Sequence, residues 1–168
     1  MRLEDINKLY GQHILDASLK YEIDPALIVA MIKCESNGNP KARSVCGAEG
    51  LMQLMPRTAA DMGVDVTFNP RDNILGGTKY LAWLRDNFAG EDTEKLLAGY
   101  NAGPGRLEKD RWKNFKETTE YVKKVQKYMD EWKEHLKTEV LEVKEEIQVI
   151  EPKKKGIFAR FIRWLSGK

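Results

Sequence analysis

Hydrophobic residues along this chain recur mostly at the spacing of an α-helix. In residues 3 to 20 they lie three or four positions apart, which predicts an amphipathic helix packed on a core. Residues 26 to 32 form an unbroken apolar run, typical of a helix that is buried on every side. Asp24 is the expected N-cap of this helix and Pro25 its first residue. The pattern therefore places a buried helix at the centre of the fold.

Further helices are predicted downstream of this central helix. They cover residues 58–62, 72–90, 94–101 and about 117–136. Gly76 and Gly77 fall inside the second of these, where they indicate a close neighbouring backbone, and we expect that helix to pack on the central one. Between the central helix and residue 58, Gly47 and Gly50 precede a short run at 51–55 that is predicted to be extended. The fold class is thus mainly α, with a helical bundle around the buried helix and a very small extended or β region.

Composition limits the number of domains and the classes of partner. With 168 residues, of which 42% are hydrophobic, the chain can build one sizeable core. A formal net charge of +2 and the lack of any RNA- or DNA-binding signature argue against a nucleic-acid partner. His13 and His135 lie far apart and the two cysteines are not at zinc spacing, so we expect no metal and no cofactor. No N-terminal signal peptide is recognisable, and no run approaches the ~20 apolar residues of a membrane span.

Composition changes sharply near the C-terminus, which divides the chain into three predicted parts. Residues 1–137 form the globular domain, 138–152 a linker or a helical extension, and 153–168 a basic amphipathic C-terminal helix in which a break is expected at Gly156. Beyond Glu151 the sequence has no acidic residue, and it carries six basic residues beside large apolar ones at helical spacing. Such a helix is typical of the interface of an anionic membrane. Alternatively, the same face docks on the globular domain or on a second copy; the oligomeric state stays open.

Glu35 is the most promising residue for chemistry. It lies in the last turn of the central helix, above Met31 and Ile28, and the turn-forming residues 36–40 should end the helix there and leave the carboxyl at the wall of a cleft. Burial and the negative end of the helix dipole should both raise its pKa, which suits a general acid. The alternative is an ordinary solvated carboxylate near a helix end.

Several short motifs occur in order over roughly residues 15 to 130. They are Glu35-Ser36 with Asn39-Pro40, Ala42 and Ser44; Gly47-Ala48; Gly50-Leu51-Met52-Gln53; Tyr100-Asn101-Ala102-Gly103-Pro104-Gly105; and Glu117-Thr118 followed by Tyr121-Val122. In these motifs the sequence resembles the soluble lytic transglycosylase family, whose catalytic domain is related to goose-type lysozyme. The resemblance implies a lysozyme-like α+β fold and peptidoglycan glycan strands as the substrate.

The resemblance also implies a mechanism with a single carboxylate. Glu35 would protonate the bond between N-acetylmuramic acid and N-acetylglucosamine, then act as a base on the 6-hydroxyl to leave a 1,6-anhydro end. An ordinary hydrolase would need a second carboxylate. The nearby candidates are Glu49, Asp61, Asp65 and Asp72, and the family marks none of these positions as catalytic. A goose-type muramidase that uses water and an inactive glycan-binding domain are the alternatives.

Supporting roles follow from the resemblance and from residue type. Ser44 and Tyr121 would orient Glu35 by hydrogen bonds, while the substrate groove would be lined by Met52, Gln53, Tyr100 and Asn101. Without the resemblance, Tyr100 and Tyr121 would be interpreted as core aromatics and Asn101 as a helix cap. The site of action would be periplasmic, and the sequence leaves a cellular or a phage origin open.

Two cysteines depart from the common pattern of the family. Cys34 directly precedes Glu35, and Cys46 precedes the Gly47-Ala48 pair. A disulfide that pins the loop between them is plausible in an oxidising periplasm, and two buried free thiols are the alternative.

Overall fold

The computed structural model describes the backbone of residues 1–165 and the side chains of residues 1–144. The described part is mainly helical and its only β pairing is a pair of isolated bridges, which confirms the mainly α fold class. Its α-helices are α1 (Leu3–Tyr21), α2 (Pro25–Ser36), α3 (Pro56–Met62), α4 (Pro70–Leu84), α5 (Thr93–Ala102) and α6 (Lys116–Leu165). A π-helical turn, Arg85–Ala89, extends α4, and the 3₁₀ segments Pro104–Arg106 and Glu108–Asn114 connect α5 to α6. The chain divides into two units, Met1–Trp132 and Lys133–Lys168.

Helix α2 is the buried central helix that the sequence predicted. The Asp24 carboxylate caps it by accepting a 2.8 Å hydrogen bond from the backbone N–H of Ala26, and Pro25 is its first residue. All seven residues from 26 to 32 are buried, because apolar side chains cover the whole circumference of the helix. Asn37 ends it in the left-handed conformation. Glu35 is thereby fixed in the last turn of a helix that cannot shift without disturbing the core.

Helix α4 begins at Pro70, with Asn69 as its cap. It packs most extensively on α1 and α3, and its buried residues share one hydrophobic core with those of α2. The two glycines within α4, Gly76 and Gly77, do not make room for a neighbouring backbone as predicted. A Cβ at Gly76 would collide with the side chain of Val64, and one at Gly77 would lie 2.5 Å from the Met52 sulfur. The glycines therefore make room for two side chains from the loop region before α4.

The run at 51–55, predicted to be extended, is largely a tight turn. Glu49 forms isolated antiparallel bridges with Arg43 and Leu54, which make up the very small β region. The turn between these bridges needs left-handed backbone at Gly50, with φ of 81°, and at Gln53, with φ of 49°. This reversal holds the loop against α4 instead of letting it run on as a strand.

Helix α6 continues through residues 138–152, as in the helical alternative for this stretch, and its backbone passes Gly156 without the predicted break. The side chains predicted to form a basic and apolar face in residues 153–168 lie outside the described residues. Among the helices that the structure describes, none is both long and apolar enough to cross a lipid bilayer.

Candidate active site

Glu35 and Tyr121 form the central contact of the candidate site. The Tyr121 hydroxyl, on the second turn of α6, donates a 2.6 Å hydrogen bond to Oε1 of the partly buried Glu35 carboxylate. The two residues are 86 positions apart in the chain, so the contact depends on the docking of α6 beside α2. It fixes one carboxylate oxygen and leaves the other for a ligand. The predicted orienting role of Tyr121 has this geometry in its favour.

Burial dominates the electrostatics of Glu35. Desolvation raises its pKa from 4.5 to about 7, while the Tyr121 hydrogen bond and the nearby Lys124 charge act against this rise without cancelling it. The direction agrees with the sequence-based expectation. A carboxyl group with a pKa near neutrality exists in both protonation states at physiological pH, so it can donate a proton and also accept one.

Lys124 is an electrostatic neighbour of Glu35 that was not predicted from the sequence. It is exposed, yet its charge lowers the pKa of both Glu35 and Cys34. It follows Tyr121 by three positions on α6, and residues at this spacing lie on one helical face. The position of Lys124 three residues after Tyr121 in a predicted helix could therefore have indicated that it lies near Glu35.

Tyr100 connects the site to the loop before α3. Its hydroxyl donates a 2.8 Å hydrogen bond to the backbone carbonyl of Met52. The Glu35 charge helps to raise the pKa of Tyr100 well above its ordinary value, after the larger effect of burial, so the two side chains lie near each other. Tyr100 thus belongs to the site, although its hydroxyl is already bonded within the protein.

Met52 does not line a groove with its side chain, which corrects the sequence prediction. The residue is completely buried, with its thioether packed where Gly77 leaves space. Its contribution is through the backbone, because its carbonyl accepts from Tyr100 and its N–H donates to the Asn73 side chain at 2.7 Å. The motif indicated an important position but not which part of the residue matters.

Asn73 organises this loop from a distance of more than twenty residues. Besides accepting from Met52, its completely buried amide donates to the carbonyls of Glu49 at 3.0 Å and Thr67 at 2.8 Å. A Cβ at Gly50 would collide with the same amide. Buried polar groups with every bond made fix a single backbone arrangement. No sequence motif that we used indicated this role.

Ser44 and Gln53 have their polar groups engaged in the loop. The Ser44 hydroxyl accepts a 2.9 Å hydrogen bond from the Ala48 N–H, and the structure has no Ser44 bond to Glu35. The Gln53 amide nitrogen donates to the carbonyls of Ala42 at 3.1 Å and Gly50 at 2.9 Å. The Ser44 proton and the Gln53 amide oxygen remain for other partners. Contact of these groups with substrate stays a prediction, as it does for the half-buried Asn101.

None of the four alternative carboxylates is a cause of the Glu35 pKa shift. The Glu49 carboxylate is engaged elsewhere, because it forms a 2.5 Å ion pair with Arg43 and accepts the Thr67 hydroxyl. Asp61 lies 3.9 Å from Arg57 on the surface of α3. In the part of the chain that the structure describes, the electrostatic neighbours of Glu35 are a tyrosine and a lysine rather than a second acid.

Cys34 and Cys46 are both free thiols, so the disulfide is not formed in this structure. Cys46 is exposed and Cys34 is partly buried, which also differs from the alternative of two buried thiols. Burial raises the pKa of Cys34 to about 11, so its thiol is protonated and unreactive at neutral pH.

Comparisons with known proteins bear on the family of this chain. The family model for the transglycosylase SLT domain matches residues 12–132. A transglycosylase of Enterobacteria phage PRD1 is 41% identical over 87 residues, which cover 52% of this chain and 32% of the relative. Membrane-bound lytic murein transglycosylase F of Pseudomonas fluorescens is 36% identical over 107 residues, covering 61% of this chain and 22% of the relative. The chain therefore spans about a third or less of these relatives.

Solved structures of soluble lytic transglycosylases are also similar to this chain. The 70 kDa soluble lytic transglycosylase of Escherichia coli is 30% identical with a TM-score of 0.64, over 71% of this chain and 23% of that one. A 70 kDa soluble lytic transglycosylase in complex with bulgecin A is 29% identical with a TM-score of 0.71, over 80% of this chain and 26% of that one.

Proposed function

The chain belongs to the transglycosylase SLT domain family, and from this premise we propose that it is a peptidoglycan lytic transglycosylase. It cleaves the β-1,4 bond between N-acetylmuramic acid and N-acetylglucosamine and leaves a 1,6-anhydro-N-acetylmuramic acid end. The observation that carries the proposal is the partly buried Glu35 carboxyl, with a pKa raised to about 7 and one oxygen held by Tyr121.

Glu35 acts first as an acid and then as a base. Its proton passes to the glycosidic oxygen while the bond between that oxygen and the anomeric carbon breaks. The ionised carboxylate then takes the proton of the sugar's own 6-hydroxyl as that oxygen bonds to the anomeric carbon. Glu35 ends protonated and no water is consumed.

A single carboxylate suffices because the substrate supplies the rest. The 6-hydroxyl replaces water, and the substrate's N-acetyl group stabilises the positive charge that develops at the anomeric carbon. This fits surroundings of Glu35 in which a tyrosine and a lysine, not a second acid, influence its pKa.

The other site residues support this step without taking part in proton transfer. Tyr121 positions Glu35, and Tyr100 holds the Met52 carbonyl and thereby the loop beneath the groove. We propose that Gln53, Asn101 and Ser44 offer their remaining polar atoms to the glycan. Met52 itself acts as a core residue.

The test is digestion of purified peptidoglycan followed by mass spectrometry of the products. We expect anhydro ends from the wild type and none from Glu35→Gln, because the amide keeps the shape but has no suitable proton. Glu131→Gln, an exposed residue on α6, is the matched control and should retain activity. Reducing ends would identify a muramidase that uses water instead. A Glu35→Gln variant with more than a few per cent of wild-type activity would show that Glu35 is not the acid.

We propose that the protein acts on the cell wall in the periplasm. Association of residues 153–168 with an anionic membrane stays part of this proposal. Co-sedimentation with anionic and neutral vesicles, comparing the full chain with one truncated after Glu151, tests it. Equal binding of both chains to anionic vesicles would contradict membrane attachment through this segment.

A further inference from the structure

An apolar stripe lies on the surface of α6, within the second of the two units of the chain. Its described members are Leu136, Val140 and Val143, whose exposed fractions are 37%, 51% and 53%. They are separated by four and then by three residues. The sequence continues this alternation at Ile147 and Ile150. The proposed mechanism gives these side chains no role.

The alternation of four and three residues is the heptad spacing of a coiled coil. A straight α-helix has about 3.6 residues per turn, so apolar residues that average about 3.5 stay on one side only when two helices wind around each other. In heptad notation Val140 occupies position a, and Leu136 and Val143 occupy position d. A β-branched residue at a and leucine at d, as at Val140 and Leu136, favour a parallel two-stranded coil. The apolar stripe therefore suits a second helix of the same kind.

The charges beside the apolar stripe favour a second copy of this helix running in the same direction. Glu139 directly precedes Val140, and Lys144 directly follows Val143, which places the two charges at positions g and e. In a parallel pair, position g of one helix lies beside position e of the next heptad of the other, so each Glu139 meets the Lys144 of the other copy. Glu139 also lies 3.3 Å from His135, one turn earlier in the same helix, but a contact between partly exposed groups is weak.

We propose that the apolar stripe binds the same stripe of a second copy of this chain, with the two helices parallel and in register. Leu136, Val140 and Val143 of each copy pack against each other and supply the affinity. Glu139 and Lys144 form two symmetric ion pairs that set the direction of the helices. This interaction surface is separate from Glu35 and does not depend on the reaction that the protein catalyses.

The first experiment measures the molar mass of the full chain by light scattering, from about 1 µM to about 1 mM protein. The stripe variant is Val140→Gln with Val143→Gln, because glutamine favours a helix more than valine does, and circular dichroism checks that the helix is retained. Leu141→Gln is the matched control, since Leu141 is 59% exposed but lies outside the apolar stripe. We expect the mass of two chains for the wild type and the control at high concentration. The dissociation constant of the stripe variant should be at least about tenfold higher, because each helix loses two apolar contacts.

The second experiment tests the direction of the helices. Cys46→Ser first removes the exposed native thiol. In this background Leu136→Cys should form a disulfide between chains under mild oxidation, because equivalent d positions face each other in a parallel pair. Leu141→Cys, on the outer side of the helix, should form it far more slowly. In an antiparallel pair, residue 136 would lie opposite the far end of the other stripe and would not react with its equivalent.

The third experiment tests the ion pairs by charge reversal. Glu139→Lys and Lys144→Glu should each weaken self-association, because each sets like charges against each other. An equal mixture of the two variants should restore pairing, since every contact between the two different chains then joins opposite charges. A mixture that pairs no better than either variant alone would overturn the proposed ion pairs.

A wild-type protein with the mass of one chain throughout, or a stripe variant that pairs as tightly as Leu141→Gln, would overturn the proposal. A mass of three chains would overturn the two-stranded arrangement, and equal crosslinking of Leu136→Cys and Leu141→Cys would overturn the parallel one. If the wild type stays monomeric and the stripe variant loses binding to anionic vesicles, the apolar stripe is a membrane surface and the proposal is wrong.

Discussion

Replacing Glu35 by glutamine should stabilise the folded protein at neutral and alkaline pH, even as it removes activity. Burial raises the pKa of this carboxyl from 4.5 to about 7. Between these values the unfolded chain releases its proton while the folded protein keeps it, so the free energy of unfolding falls as pH rises. Above pH 7 both states are ionised and the folded state carries the full cost of a buried charge.

The magnitude follows from the two pKa values. One pH unit of pKa difference corresponds to 1.36 kcal/mol, so a change from 4.5 to about 7 amounts to about 3 kcal/mol. The stabilising contribution of the protonated form is complete below pH 4.5 and is lost as pH passes through about 7. A glutamine has no charge to desolvate and still offers an oxygen to Tyr121, so it should escape this loss.

Urea unfolding followed by tryptophan fluorescence measures the effect, since the chain has four tryptophans. Wild type and Glu35→Gln should differ little at about pH 4.5 and by up to about 3 kcal/mol at about pH 8.5, with the variant more stable. The exposed Glu131→Gln serves as the control and should parallel the wild type. A difference between wild type and Glu35→Gln that does not change with pH would refute the assignment of a raised pKa to Glu35.

Three further predictions test the surroundings of Glu35. Because the Lys124 charge lowers the pKa of Glu35, Lys124→Gln should move the alkaline limb of the pH profile of kcat/KM to higher pH. The control Lys127→Gln should leave this limb in place. An alkaline limb that does not move in Lys124→Gln, or that moves to lower pH, would contradict the prediction. Gly77→Ala should lower the unfolding free energy by roughly 1–3 kcal/mol in thermal melts, because its Cβ would lie 2.5 Å from the Met52 sulfur. The control Gly105→Ala meets no neighbour and should be nearly neutral. In the native protein, iodoacetamide should alkylate the exposed Cys46 well before Cys34, as followed by mass spectrometry; equal rates, or no reaction at either, would show that the thiols are not as described.

Features that depend on neighbouring residues were predictable from the sequence. The cap at Asp24, the start at Pro25 and the burial of α2 all follow from a few consecutive side chains. The raised pKa of Glu35 follows equally well, because a residue in the last turn of a helix apolar all round must share its surroundings. Only the contact with Tyr121 required more, and there the family resemblance supplied the expectation.

Features that depend on distant residues were not predictable in this way. Met52 was predicted to line the groove because it lies in a motif of the family, whereas its orientation is set by Asn73 and Gly77 more than twenty residues later. The motif located the loop correctly, and long-range hydrogen bonds and packing decided which side each residue faces.

The surroundings of Glu35 balance two requirements that the proposed mechanism places on a single carboxyl group. Desolvation alone would favour the protonated form and make a poor base, while full pairing with cations would favour the ionised form and make a poor acid. Tyr121 and Lys124 oppose the desolvation without overcoming it, and the pKa therefore stays near neutrality. An enzyme with two carboxylates can assign the acid and the base to different residues whose pKa values differ. In a reaction that returns the proton to the residue that donated it, an intermediate pKa serves both half-reactions. The ionised form of Glu35 lowers the stability of the folded protein, and the buried apolar residues of α2 offset this loss.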